Sequence, residues 1–152
     1  MGLFVGGTGD ANKIDDYEEG TWPAVIKSGS NTITQTSGSP QFTYTKIGNI
    51  VYVNFKTGGC TTAGTTGGDF SIQGLPFTSI ASQRHIGSII NNWGSGIQLS
   101  TNFVYVHINA LETTVHPYKK DPTSAGGNYC HAQVTGVGNS SHMQWSCVYQ
   151  TT

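Results

Sequence analysis

Eight carboxylates hold whatever acid chemistry this chain can do, and four of them stand together. Asp15, Asp16, Glu18 and Glu19 fall within Asp15-Asp16-Tyr17-Glu18-Glu19-Gly20-Thr21-Trp22-Pro23. General acid–base work needs two placed carboxylates, not four in a run. Like charges packed this closely repel one another. The run therefore reads either as a solvated lead-in to a first strand or as a docking segment. In the second case its carboxylates cap backbone N–H groups or meet basic side chains of another subunit. The remaining acids are Asp10, Asp69, Glu112 and Asp121, scattered over loops. Asp69 with Glu112 is the one pair worth testing as the two carboxylates of a glycan-cleaving site. Ser140-Ser141-His142 places hydroxyls beside an imidazole, but no G-x-S-x-G elbow is present.

The histidines (His85, His107, His116, His131 and His142) do not fall into a metal-binding motif. His107 reads as a hydrogen-bonded residue at a sheet or subunit contact; the alternative is a metal or ligand role on a threefold axis. Cys130 and His131 are adjacent, so on a strand they face opposite sides and cannot grip one ion. Cys60, Cys130 and Cys147 form no C-x-x-C pair, which argues against zinc. Buried free thiols are expected, with Cys130–Cys147 the best disulfide if two late strands are neighbours. No catalytic, cofactor-binding or metal-binding set emerges.

Binding is a better prospect than catalysis. Trp22, Trp93 and Trp145, with Tyr105, Tyr118 and Tyr129, could stack on sugar rings, because an aromatic face offers apolar area beside a polar handle. The plainer reading of the tryptophans is core or inter-subunit packing. Tyr118-Lys119-Lys120-Asp121, in an expected loop, is the better candidate for contact with a receptor.

Composition narrows what must position these residues. The 152 residues suit one domain, and 36% hydrophobic content supports a core. Only 10% of residues are charged, against the usual ~25%. Gly, Ser, Thr and Asn take the place of charge, which suits contacts between identical subunits because few ions must be desolvated. A net charge of -1 argues against a nucleic-acid partner. No apolar run is long enough for a membrane helix, so membrane insertion is not expected. Met1 to Gly7 is too short and uncharged for a signal peptide.

The pattern predicts an all-β chain. Residues 1–20 read as an N-terminal docking segment, short and extended or with one helical turn from Asn12 to Tyr17, with Leu3, Phe4 and Val5 packing on another subunit. Residues 21–152 read as a β-sandwich head. Its strongest signal is a hairpin, Gln41 to Ile47 and Ile50 to Thr57, around Gly48-Asn49. Val51, Val53 and Phe55 share one face of it and Ile50, Tyr52, Asn54 and Lys56 the other. Aromatics on both faces predict that both are covered. Phe103 to Ala110 alternates most cleanly, and Met143 to Thr151 closes the chain with Trp145, Cys147 and Tyr149 on one face. Thr113 to Asn128, carrying Pro117 and Pro122, reads as a long loop. Short strands with Gly-rich turns predict an antiparallel sandwich, jelly-roll-like.

Three motifs in order carry a resemblance: Asp15 to Pro23, then Tyr44-Thr45-Lys46-Ile47-Gly48-Asn49 with Val51-Tyr52-Val53, then Gly74-Leu75-Pro76-Phe77. The set resembles a module near the C-termini of bacteriophage tail-fibre and other virion structural proteins. It covers residues 10 to about 80; the rest matches in style only. The resemblance implies a β-sandwich head assembled as a homotrimer in a virion and made in the host bacterial cytoplasm. Its partners would be itself, other tail or capsid proteins, and host surface glycan or protein. It supplies no catalytic residues. On it, Leu3, Phe4, Val5, Asp15, Asp16, Tyr17, Glu18, Glu19 and Trp22 become the expected docking residues. The module usually ends a much longer fibre, so a capsid decoration protein is the alternative to a tail-fibre or spike head.

Overall fold

The computed structural model describes residues 3–4, 13–14, 16–61, 67–82, 85–93, 98–99, 103–120, 129–131, 133–136 and 142–152. All the regular structure among them is β. In chain order the strands are β1 (Leu3–Phe4), β2 (Lys13–Ile14), β3 (Tyr17–Thr21), β4 (Val25–Ser28), β5 (Asn31–Ser37), β6 (Gln41–Ile47), β7 (Ile50–Lys56) and β8 (Gly59–Thr61). They continue with β9 (Phe70–Gln73), β10 (His85–Trp93), β11 (Gln98–Leu99), β12 (Phe103–Ile108), β13 (Thr114–Lys120), β14 (Tyr129–His131), β15 (Val134–Gly136) and β16 (His142–Gln150).

Antiparallel pairing joins most of them in the order β3-β6-β7-β16-β10-β12-β13-β9-β4-β5-β8, with β14 also on β13. β1 with β2, and β11 with β15, form separate two-stranded pairs. Strand β10 belongs to both halves of the long sheet. Its first residues pair with β12 and its later ones with β16. At the crossing stands Gly87, where an added Cβ would lie 2.6 Å from a Val106 methyl and 2.8 Å from the Cys147 Cβ. A side chain there would hold the halves apart. The halves share one core in which Val51, Val53, Phe55, Phe70, Ile72, Val106, Ile108 and Val115 are fully buried. The architecture is that of a β-sandwich.

The expected hairpin forms with its expected register, Ile47 opposite Ile50. Gly48 takes φ +57°, so the first central turn residue carries the left-handed conformation that glycine accepts most readily. One of its predicted properties fails. Val51, Val53 and Phe55 are buried, but Ile50 and Tyr52 on the other face stay open to solvent, because the described core lies on one side of the hairpin only.

Two further expectations are corrected. The acidic run is not a lead-in: Tyr17–Thr21 is itself an edge strand, paired along its length with β6. An N-terminal segment ending at residue 20 would therefore cut through β3. Lys13–Ile14 is extended and pairs with Leu3–Phe4. Most of the described part of the predicted 113–128 loop is strand. Pro117 sits in β13, opposite Val106 of β12. On the other flank of β13, β9 pairs with Thr114 and Val115 and β14 with Tyr118 to Lys120. His116 and Pro117 fall between these two partners, where a residue without an N–H breaks no ladder.

Candidate functional site: the acidic strand and the outer face

The alternation of β3 deals its acids to two faces. Glu18 and Gly20 share a face with Tyr44 and Lys46 of β6, while Tyr17 and Glu19 share the other with Ile47 and Thr45. On the first face the Tyr44 hydroxyl donates to Glu18 at 2.5 Å. The Tyr44 ring lies directly over Gly20, where a Cβ would stand 3.0 Å from a ring carbon. Gly20 is thus the gap through which the ring reaches Glu18. Lys46 Nζ meets both oxygens of Asp16 at 2.7 Å and also lies 5.7 Å from the centre of the Phe77 ring. On the second face the Tyr17 hydroxyl donates to Glu19 at 2.6 Å. Both tyrosines are held above the ordinary phenol range, first by the hydrogen bond to the carboxylate. The pleat thus sets Glu19 apart from Asp16 and Glu18, and each of the three meets a partner within the chain.

The third motif closes on the first two. Phe77 packs edge-on against Tyr44, with ring centres 5.4 Å apart. Gly74 takes φ +92°, and a Cβ on it would fall 2.4 Å from the Pro23 carbonyl oxygen, so the turn needs glycine beside Trp22-Pro23. The Tyr149 hydroxyl donates to the Phe77 carbonyl at 3.0 Å and accepts from the Phe77 N–H at 3.2 Å. Burial leaves the Tyr149 phenol well above its usual range, with the Phe77 hydrogen bond pulling weakly the other way. Trp22 lies in the core against Phe42, Phe55 and Trp145, so it packs its own chain and is not a docking residue.

The other sequence candidates fall out as follows. Asp69 and Glu112 are not brought together: Asp69 precedes β9, while Glu112 lies beside the far end of β9, about 13 Å along the strand. Glu112 instead accepts from Asn109 at 3.2 Å and contacts His116 at 2.8 Å. Tyr118 and Lys119 belong to β13, where Tyr118 stacks on Tyr105 at 5.6 Å with His107 edge-on at 5.2 Å. Lys120 closes the same strand, so these three residues are not a loop. Asp121, Val5 and Asp15 lie outside the described residues. Cys147 is a free, buried thiol whose pKa burial pushes up to about 12. The condition for the Cys130–Cys147 disulfide is not met, since β14 lies on β13 and β16 lies between β7 and β10. Burial alone lowers the pKa of His85, whose ring meets Tyr149 edge-on.

Sequence reasoning missed the outer face. Tyr17, Ile47, Ile50, Tyr52, Ile86 and Val148 are each between 39% and 68% exposed. The clue was present in the hairpin, whose two faces both carry large apolar side chains. No family model, curated protein or solved structure matches the chain.

Proposed function

We propose that this chain is a non-enzymatic structural protein of a bacteriophage virion, a homotrimeric, jelly-roll-like head of tail-fibre or spike type. It acts by assembly, and its loops at one end present a surface to host glycan or protein. One observation carries the reading. The separated motifs behind the resemblance fold into a single packed unit: Asp16 on Lys46, Glu18 and Gly20 on Tyr44, Tyr44 and Lys46 on Phe77, and Pro23 on Gly74. Residues that depend on each other across some 60 positions travel as a set, which is what a shared module requires.

The test is to locate the chain in intact particles by labelling and electron microscopy. Density at the tail tip is expected. Density over the capsid would move the chain to the decoration role, and absence from purified particles would end the virion reading. Sedimentation should give about three times the single-chain mass of 16.1 kDa.

A further inference from the structure

The register of the sheet gathers the exposed apolar side chains into two neighbouring rows on its outer face. Tyr17 stands opposite Ile47, Ile47 opposite Ile50, and Ile50 opposite Gln150. In the adjacent row Glu19 stands opposite Thr45, Thr45 opposite Tyr52, and Tyr52 opposite Val148. Ile86 of β10 continues this row and with Tyr52, Val148 and Ser146 borders a depression of about 290 Å³. Six of the eight exposed large hydrophobic residues among those described lie here; Val25 and Leu111 do not. The next row, Thr21, Thr43, Asn54 and Ser146, is polar and uncharged.

We infer that this outer face of β3-β6-β7-β16, with Ile86, packs against the same face of neighbouring copies of the chain. This deepens the assembly reading and rests on it. Three observations select a second copy as the occupant. The first is charge. The only ionic group in the two rows is Glu19, on the edge strand β3, so the apolar centre of the face carries no charge to repel a like face or to attract an ionic partner. The second is area. Six large side chains about half exposed present on the order of 500 Å² of apolar surface, against about 800 Å² per partner in a standard interface. With its uncharged hydroxyl and amide row, the face has an apolar centre and a polar rim of interface type. The third is complementarity. Within the described surface no other group of exposed apolar side chains is of comparable size, so the matching surface on an identical chain is this face itself.

The test compares wild-type protein with Ile86→Asp, Val148→Asp and, as a control away from the face, Leu111→Asp. Far-ultraviolet circular dichroism checks that each variant folds. In analytical ultracentrifugation, wild type and Leu111→Asp should sediment as oligomers, and the two face variants should fall to the single-chain mass of 16.1 kDa. Hydroxyl-radical footprinting of unmodified protein gives a readout without variants. Labelling of Tyr52 and Val148 should drop several-fold as protein concentration rises, while Leu111 labelling stays level. If the face variants remain oligomeric, or the face stays fully labelled in the oligomer, the face is wrong and self-assembly still stands. A wild-type chain that is a monomer at every concentration overturns both.

Discussion

The two faces of the β6–β7 hairpin are built from the same kinds of residue and meet opposite fates. Phe42, Val51, Val53 and Phe55 enter the core; Ile47, Ile50 and Tyr52 face solvent. Hydrophobicity does not separate them, because Ile50 is as apolar as its neighbour Val51. Pleat parity does: odd positions of β7 turn toward the second half of the sheet and even positions turn away. Within the chain one face is a finished interface and the other an unfinished one.

That contrast can be broken or sharpened by substitution. The largest effect is expected for Phe55→Ala, which empties a fully buried site between Phe42 and Trp145. A loss of about 3–5 kcal/mol should appear in chemical denaturation; a loss below about 1 kcal/mol would mean that the inner face is not a packed core. Gly87→Ala should cost about 1–3 kcal/mol, since its methyl meets Val106 and Cys147 across the junction of the two halves. An unchanged denaturation midpoint there would show that β10 does not cross so tightly.

The buried thiol gives a pH-dependent prediction. In the unfolded chain Cys147 ionises near its usual pH 9, whereas the folded state keeps the proton until about pH 12. Its share of stability is intact below pH 9 and is lost as pH rises through that window, by roughly 1.4 kcal/mol per pH unit. Melts between pH 8 and 10 should show a fall for wild type that is smaller in Cys147→Ala; identical slopes would place the thiol in water. At the outer face, Tyr52→Ser should leave single-chain stability within about 0.5 kcal/mol, while denaturation of dilute, monomeric protein supplies the check. Smallest of all is Glu18→Gln. It should lower the Tyr44 ionisation toward its ordinary value in an ultraviolet titration, and a curve identical to wild type would deny the contact between them.

Alternation made much of this fold legible. The β6–β7 hairpin, β12 and β16 were readable because each repeats with period two and ends in turn residues. Strand β13 was hidden by Pro117, since proline in a central strand normally argues against one. Nothing local reveals that its missing donor falls between two partners. Strand β3 was hidden by charge, because four acids look like solvated chain until a partner strand supplies Lys46 and Tyr44. The motifs themselves were visible, but their dependence on one another was not. The link between Gly20 and Tyr44, or Gly74 and Pro23, exists only once register is set. The outer face was present as a pattern, but not that one chain leaves it open, because a sequence records which side chains are apolar and not which side the chain folds over.

Pro117 has one more consequence, for the sheet's alignment. A strand that slips by one residue turns its apolar side chains outward and is rejected at once, but a slip of two preserves every face. Patterning alone cannot forbid that second error. In β13 a two-residue shift along its outer flank would carry Pro117 out of the space between β9 and β14 and set it against one of them, at the loss of a ladder bond. The proline thus acts as a pawl, leaving β13 one position in which both of its flanking partners can close.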